Sequence, residues 1–152
     1  MIDSGKYIED NMSKPEIFTG GLVKNEDGSI QFNNDFKIKL LDIQRYYTIS
    51  LFNKNFRGWH GHKQEHKYCL CLDGSVKIGA VEIDNWDNPS KNLIPLWYDL
   101  KEDDCKILHI PGGYANGVMN LNDTDSRIMF FSNFTLSESE NDDYRFLPKY
   151  WR

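Results

Sequence analysis

The chain has 152 residues, a formal net charge of −5 at pH 7 and 14% aromatic residues. A single domain of this length buries enough surface to fold without a disulfide or a metal ion. The charges of both signs are scattered, which argues against nucleic acid as a partner, and no apolar run is long enough to span a membrane.

Short apolar runs separated by turn residues follow a polar N-terminal arm at residues 1–15. The runs on either side of Asp27-Gly28 predict a hairpin, and Phe36, Ile38 and Leu40 alternate with lysines as in a half-buried strand. Further strands are predicted at residues 45–53, 67–72, 75–84, 93–100, 105–110, 117–121 and 126–134. About ten short strands with closely spaced turns predict one all-β domain, an antiparallel barrel or jelly roll.

Residues 56–71, FRGWHGHKQEHKYCLC, concentrate the side chains that could carry chemistry. His60 and His62 are two positions apart and share one face of a strand, and a neutral imidazole is a natural general base near pH 7. Lys67 is either an exposed strand lysine or, on the inner face, a buried ammonium that needs a counter-charge or a catalytic role. The odd number of cysteines indicates free thiols and a reducing cytoplasm.

A metal site is one interpretation of the histidine pair. His60 and His62, with Glu65 close behind, resemble the first metal motif of cupins. Residues 111–120 resemble the second motif, except that Asn116 stands where a metal cupin has histidine. Because asparagine is a poor ligand for divalent transition metals, the favoured interpretation has no metal and no other cofactor. A metal-dependent cupin oxygenase or isomerase remains the alternative.

Four segments in order resemble the dTDP-4-dehydrorhamnose 3,5-epimerase family, over about residues 45–151. They are Arg57-Gly58-Trp59-His60, residues 67–84, Asn88-Pro89-Ser90 with Trp97, and residues 110–117 (IPGGYANG). The resemblance implies a cupin jelly roll and an isomerase. Its substrate would be a nucleotide-diphosphate-linked 4-keto sugar used in the synthesis of cell-surface polysaccharides. It also implies a homodimer, which the polar arm and the exposed sheet edges favour as well.

The resemblance also implies roles for individual residues. His60 would remove the proton next to the C4 ketone, and Lys67 would stabilise the resulting enolate oxygen. Asp142 or Asp143 would match the carboxylate that orients the base. The implied substrate contacts are Arg57, which would hold the diphosphate, and Arg45, Tyr114 and Asn116.

Two departures from the epimerase pattern modify these expectations. The segment HGHKQEH, residues 60–66, resembles without a gap the HAHK..H stretch of the nucleotide-sugar 3,4-ketoisomerases, also cupins, which makes His62 a second catalytic candidate. The tyrosine acid of the epimerases has no counterpart on the strand predicted at 126–134, where Met129 falls near its place, and Tyr114 is the nearest other candidate acid.

The sequence therefore predicts epimerisation at a single centre, C3, with 3,4-ketoisomerisation as the alternative. A sugar-binding cupin without activity also remains open.

Overall fold

The structure, a computed structural model, describes residues 14–34 and 42–152. Residues 1–13 of the polar arm and the strand predicted at 36–40 lie outside these ranges. The strands are β1 (Glu16–Thr19), β2 (Gly21–Asn25), β3 (Gly28–Phe32), β4 (Arg45–Leu51), β5 (Arg57–His62), β6 (Lys67–Asp73), β7 (Ser75–Glu82), β8 (Leu96–Lys101), β9 (Lys106–Ile110), β10 (Tyr114–Asn120), β11 (Ser126–Ser132) and β12 (Tyr144–Arg145), and helix α1 is Leu136–Glu140. Within the described ranges no helix is long and apolar enough to cross a bilayer.

Two five-stranded antiparallel sheets enclose the core. The first sheet has the strand order β1-β9-β6-β11-β4, and the second has the order β12-β5-β10-β7-β8. Strand β6 pairs with β9 and β11, whereas β5 pairs with β10 and β12, so the two strands of the histidine-rich segment belong to opposite sheets. This arrangement confirms the predicted antiparallel jelly-roll fold.

The turn residues lie where the sequence predicts them. Gly74 has a φ of 80°, in the left-handed region that glycine tolerates, and it joins β6 to β7. Glu26 and Asp27 join β2 to β3, and Gly28 is the first residue of β3. Pro95 immediately precedes β8, which is an edge strand. Proline is tolerated there because it cannot donate a hydrogen bond to a neighbouring strand.

The main core lies between the two sheets. Val76, Ile78, Leu108 and Ile128 are each 0% exposed, and each such side chain contributes roughly 1.5–3 kcal/mol relative to an exposed one. The alternation of β7, β9 and β11 accounts for this, since every second residue faces inward. The middle of the core is apolar. Three polar side chains, Lys67, His62 and Asn116, are buried next to it.

A second, aromatic cluster holds the C-terminal tail against the second sheet. The rings of Trp59 and Trp151 are 5.5 Å apart, and Trp151 Nε1 donates a 2.9 Å hydrogen bond to the carbonyl oxygen of Ser90. Phe146 also packs on Trp151. These contacts fix the path of the segment from 142 to 146, which passes beside β5.

The β2–β3 hairpin predicts an interface with a second subunit. It forms a separate two-stranded sheet and exposes Leu22, Val23, Ile30 and Phe32. Because exposed apolar patches commonly mark protein interfaces, we expect a homodimer that covers these side chains. Sedimentation at micromolar concentration should give twice the 17.8 kDa chain mass. Val23→Lys should shift the protein towards monomer while Lys24→Gln should not, and a wild-type monomer would contradict the prediction.

Candidate active site

A cavity of about 350 Å³ lies between the two sheets, within the range of about 300–1,000 Å³ that is typical of ligand pockets. Its polar lining residues are Arg45, Tyr47, Arg57, His60, His62, Lys67, Asn116, Ser139, Glu140, Asp143 and Arg145. The structure therefore brings together seven of the residues singled out from the sequence: Arg45, Arg57, His60, His62, Lys67, Asn116 and Asp143. The cations outnumber the carboxylates in this lining, so the cavity suits an anionic ligand.

Strand β5 carries both histidines to the cavity because residues two apart share a face. Gly61, between them, faces the opposite way and contacts Trp86. A Cβ atom on Gly61 would lie 2.7 Å from Trp86 Cζ3, which real side chains do not tolerate. The small residue in HGH thus lets Trp86 pack closely behind the two histidines.

The ring of His62 is held in one orientation by the main chain. Its Nδ1 lies 2.7 Å from the carbonyl oxygen of Asp142. Since a carbonyl oxygen only accepts hydrogen bonds, Nδ1 carries the proton and Nε2 carries the lone pair. Nε2 is buried and has no hydrogen-bond partner among the described residues. A base whose one nitrogen is anchored and whose other nitrogen is unpaired is arranged to take a proton from a bound ligand.

Both imidazoles are neutral near pH 7. Burial is the main cause that lowers the pKa of His62, and the charge of Lys67 lowers it further, against the opposing effects of Glu65 and Asp142. Each ring is therefore available as a base without prior loss of a proton.

His60 is held less firmly than His62. Burial, followed by the charges of Arg145 and Lys67, lowers the pKa of His60 to about 4, and Asp143 opposes the shift. None of the described residues hydrogen-bonds to the His60 ring. Asp143 lines the cavity but pairs with Arg145 at 3.1 Å, so it influences His60 through its charge. The ring of His62 is thus oriented by a hydrogen bond that the ring of His60 lacks among the described residues.

Lys67 faces the inside of the barrel and is 7% exposed. Its Nζ donates a 2.9 Å hydrogen bond to Tyr47 Oη and lies 4.0 Å from Glu65 Oε2. Because Lys67 occupies the phenol oxygen as an acceptor, the O–H proton of Tyr47 remains free to donate to a ligand. An ammonium and a phenol are thereby placed side by side on the first sheet, opposite the histidines of the second.

Tyr47 is a site residue that the sequence analysis missed, as are Ser139 and Arg145. It lies on β4, where Arg45, Tyr47 and Ile49 all line the cavity. The signal was present in the alternation of RYYTISL, which places these three residues on one face. Its ring stacks on Phe130 of β11 at a centroid distance of 5.3 Å.

Two expectations about the acid are wrong. Met129 does not lie near the cavity: it lines an apolar groove with Leu70, Ile107 and Phe131, because Ile128 and Phe130 are the inward residues of β11. Tyr114 is 4% exposed in the main core and does not line the cavity, so the expected substrate contact is not supported.

Asp142 supports the site, but its carboxylate does not hydrogen-bond to either histidine. The two carboxylate oxygens accept hydrogen bonds of 2.8–2.9 Å from the backbone N–H groups of Lys63, Gln64 and Glu65. The contact with His62 comes from the Asp142 carbonyl. The expected contact of this carboxylate with His60 is not supported, and the Asp142 carbonyl contacts His62 instead.

Replacing Asp142 by alanine should destabilise the protein by about 2–4 kcal/mol, because three backbone donors in a partly buried loop lose their acceptor. Denaturant unfolding followed by tryptophan fluorescence would measure the change. Asp87→Ala is the control, since its exposed carboxylate accepts none of these bonds and the unfolding midpoint should not move. Equal midpoints for the two variants would contradict the prediction.

Helix α1 forms one edge of the cavity with Leu136, Ser139 and Glu140. Thr135 caps it, and Glu138 returns a hydrogen bond to the Thr135 backbone, which is a capping box. This short helix lies in the acidic tail, where the sequence analysis predicted no element.

The metal alternative finds no ligand set here. Among the described residues, no three His, Cys, Asp or Glu side chains converge as metal ligands. Glu65, which follows the histidine pair in the metal motif, instead accepts hydrogen bonds from Ser132 and Ser139. A reaction without metal stays a prediction.

The family model described as "FdtA: WxcM-like, C-terminal" matches residues 14–150. No curated protein matches the chain. Solved structures match it with low sequence identity. The epimerase NovW of Streptomyces spheroides, which acts on 4-keto-6-deoxy sugars, has a TM-score of 0.74 at 13% identity, over 92% of this chain and 73% of that one.

Two ketoisomerases match over nearly their whole length. A histidine-to-asparagine mutant of the 3,4-ketoisomerase QdtA of Thermoanaerobacterium thermosaccharolyticum, in complex with TDP-4-keto-6-deoxyglucose, has a TM-score of 0.66 at 20% identity, over 90% of this chain and 91% of that one. A 3,4-ketoisomerase of Helicobacter canadensis has a TM-score of 0.68 at 18% identity, over 90% and 93%. The expected relationship to the cupin-fold epimerases and ketoisomerases is confirmed, and the match over residues 14–150 shows that the chain belongs to the WxcM-like, C-terminal (FdtA) family.

Proposed function

We propose that the chain is an isomerase that converts a nucleotide-diphosphate-linked 4-keto sugar into the 3-keto isomer. The observation that carries this proposal is the cavity itself, in which His60 and His62 face Lys67 and Tyr47 from the opposite sheet. The near full-length match to two 3,4-ketoisomerases supports it, since the epimerase NovW extends well beyond the part that this chain covers.

The carbon chemistry needs one base and an electrostatic partner. His62 Nε2 takes the proton from C3, the C3–C4 double bond forms, and the electrons of the C4 carbonyl move to its oxygen. Lys67 stabilises this oxyanion, and its effect is strong because Lys67 and His62 are both buried. The histidine pair then returns a proton to C4, so that carbon gains the hydrogen that C3 lost.

The oxygen chemistry needs one group that both gives and takes a proton. Tyr47 donates its O–H proton to the C4 oxygen, which becomes a hydroxyl. As the C3 carbonyl forms, the C3 hydroxyl passes its proton to the Tyr47 oxygen, which Lys67 stabilises through its 2.9 Å hydrogen bond. The step is balanced in atoms and electrons, and it needs no cofactor.

The arginine side chains of the cavity are assigned to the diphosphate of the substrate because of their charge. Arg45, Arg57 and Arg145 line the same cavity and suit a diphosphate, which guanidinium groups bind in a bidentate manner. Because the matching QdtA structure holds TDP-4-keto-6-deoxyglucose, this is the first substrate to test. A role in the cytoplasmic synthesis of polysaccharide sugars remains our expectation.

The test is incubation of the full chain with TDP-4-keto-6-deoxyglucose in D2O, followed by NMR. A ketoisomerase should yield a 3-keto sugar with deuterium at C4. An inverted sugar that keeps the C4 ketone would show an epimerase, and binding without exchange would show a non-catalytic sugar-binding protein. Activity that a chelator abolishes and a divalent metal restores would support the metal-dependent alternative.

Epimerisation at C3 is the second candidate. It is favoured by the position of Tyr47 across the cavity from His62, because inversion needs a base on one face of the carbon and an acid on the other. The two reactions share the first proton transfer and differ only in where the second proton goes.

Replacing Tyr47 by phenylalanine should lower the rate of product formation by about 10²–10⁴-fold, because it removes the proposed proton donor. Exchange of the C3 proton for deuterium should fall less, since His62 and Lys67 remain. NMR measures both rates in one experiment. Tyr46→Phe is the matched control, because Tyr46 is 66% exposed and does not line the cavity. Full activity in Tyr47→Phe would exclude the phenol as the proton carrier.

A further inference from the structure

Glu65 does not line the cavity, yet it contacts four residues that do. Its side chain is 0% exposed. Oε1 accepts a 2.6 Å hydrogen bond from Ser139 and lies 3.4 Å from His62 Nδ1. Oε2 lies 3.3 Å from Arg45 Nη2 and 4.0 Å from Lys67 Nζ.

A buried carboxylate needs compensating contacts. Moving an ion from water into a protein interior costs roughly several kcal/mol, even after the protein has relaxed. Glu65 has it in the hydroxyl groups of Ser132, at 2.7 Å, and Ser139, and in the charges of Arg45 and Lys67. Apolar residues of similar size commonly stabilise a fold as well as such an ion pair does. Stability alone therefore does not account for a charge at this position.

The contacts of Glu65 connect each part of the site. The carboxylate holds the cationic ends of Lys67 on β6 and Arg45 on β4, and through Ser139 it holds helix α1, which forms the edge of the cavity. It also faces the protonated nitrogen of His62, beside the Asp142 carbonyl. A negative charge there favours the imidazolium that forms when His62 accepts a proton.

We propose that Glu65 is a positioning residue, which orients His62 and Lys67 and stabilises the charged form of His62 during the reaction. The effect of Glu65 on turnover rests on the proposed function. Its effect on His62 is a property of the substrate-free protein.

The first experiment compares Glu65→Gln with the wild type in the deuterium exchange assay. The amide keeps the size of the side chain and removes its charge. We expect kcat to fall by about 10–100-fold, as is typical when a supporting partner is lost, with a smaller effect on KM, since Arg57 and Arg145 line the cavity without Glu65. Ser126→Ala is the control: it removes a buried hydroxyl, 0% exposed, that bonds to Asn120 away from the cavity. A kcat in Glu65→Gln equal to that of this control would overturn the proposal.

The second experiment needs no turnover. The imidazole of His62 is titrated by ¹⁵N NMR in substrate-free protein, where Lys67, Glu65, Asp142 and His60 are the titratable groups around it. Glu65 raises the pKa of His62, so Glu65→Gln should move the midpoint to lower pH, while Ser126→Ala should leave it in place. An unmoved midpoint in Glu65→Gln overturns the proposal. If the wild type shows no isomerase activity, the proposed function fails, but this titration still decides the role of Glu65.

Ser139→Ala covers the case in which Glu65→Gln does not fold. It keeps the charge of Glu65 and removes the hydrogen bond to α1, so kcat should fall below that of Ser126→Ala while the His62 midpoint stays near the wild-type value. A kcat for Ser139→Ala that matches the Ser126→Ala control would overturn the proposed link between Glu65 and the helix.

Discussion

Replacing His62 by asparagine is expected to lower the rate of deuterium incorporation by about 10²–10⁴-fold, the usual cost of removing a general base. Asparagine can still donate a hydrogen bond to the Asp142 carbonyl, so the loop should keep its conformation. Binding of TDP, measured by calorimetry, should stay near the wild-type value, because the arginines of the cavity are untouched.

Three comparisons make this result specific. His66→Asn is the matched control, since His66 bonds to His109 and does not line the cavity. His60→Asn tests the other histidine: if it abolishes exchange while His62→Asn does not, His60 is the base and our assignment is wrong. The wild-type rate should also persist below pH 6.5, since the pKa of both histidines is lowered and the base works in its neutral form.

Replacing Lys67 by methionine is the other change with a large expected effect. Methionine fills similar space but offers no charge to the developing oxyanion, so kcat should fall by about 10²–10³-fold, as when an oxyanion donor is removed. The variant also withdraws the hydrogen bond to Tyr47, so proton transfer at oxygen should slow as well.

Lys77→Met serves as the control for this experiment. Lys77 lies on β7, pairs with Asp99 in a partly exposed position and does not line the cavity. Its loss should leave kcat unchanged. A Lys67→Met enzyme that retains full exchange would show that another group stabilises the oxyanion, with Tyr47 the nearest one.

Much of the fold was predictable because it depends on patterns among residues that are neighbours in the sequence. Alternation and turn residues suffice to place β4, β7 and β11 and the turn at Gly74. The same periodicity gives both histidines one face. It does not say which face of β6 is inner, since Tyr68 and Leu70 are as apolar as Cys69 and Cys71; only the packing of the facing sheet decides this.

The missed parts of the site depend on contacts between distant residues. The resemblance places the acid on β11, whose inward residues are Ile128 and Phe130, whereas the phenol in the cavity belongs to Tyr47 on the neighbouring strand β4. The hydrogen bond between His62 and Asp142 joins residues 80 positions apart. No pattern in the sequence marks it, because its acceptor is a backbone carbonyl that every residue possesses.

That backbone acceptor has a consequence for how the protein can change. Any residue at position 142 offers the same carbonyl, so a point mutation there can weaken the loop but cannot by itself reverse the tautomer of His62. The tautomer and orientation of His62 are thus encoded in the route of the chain, which the packing of Trp151 and Phe146 holds, and not in the side chain at position 142. A change of this tautomer would require a different path of the tail, for example through a different length between α1 and β12.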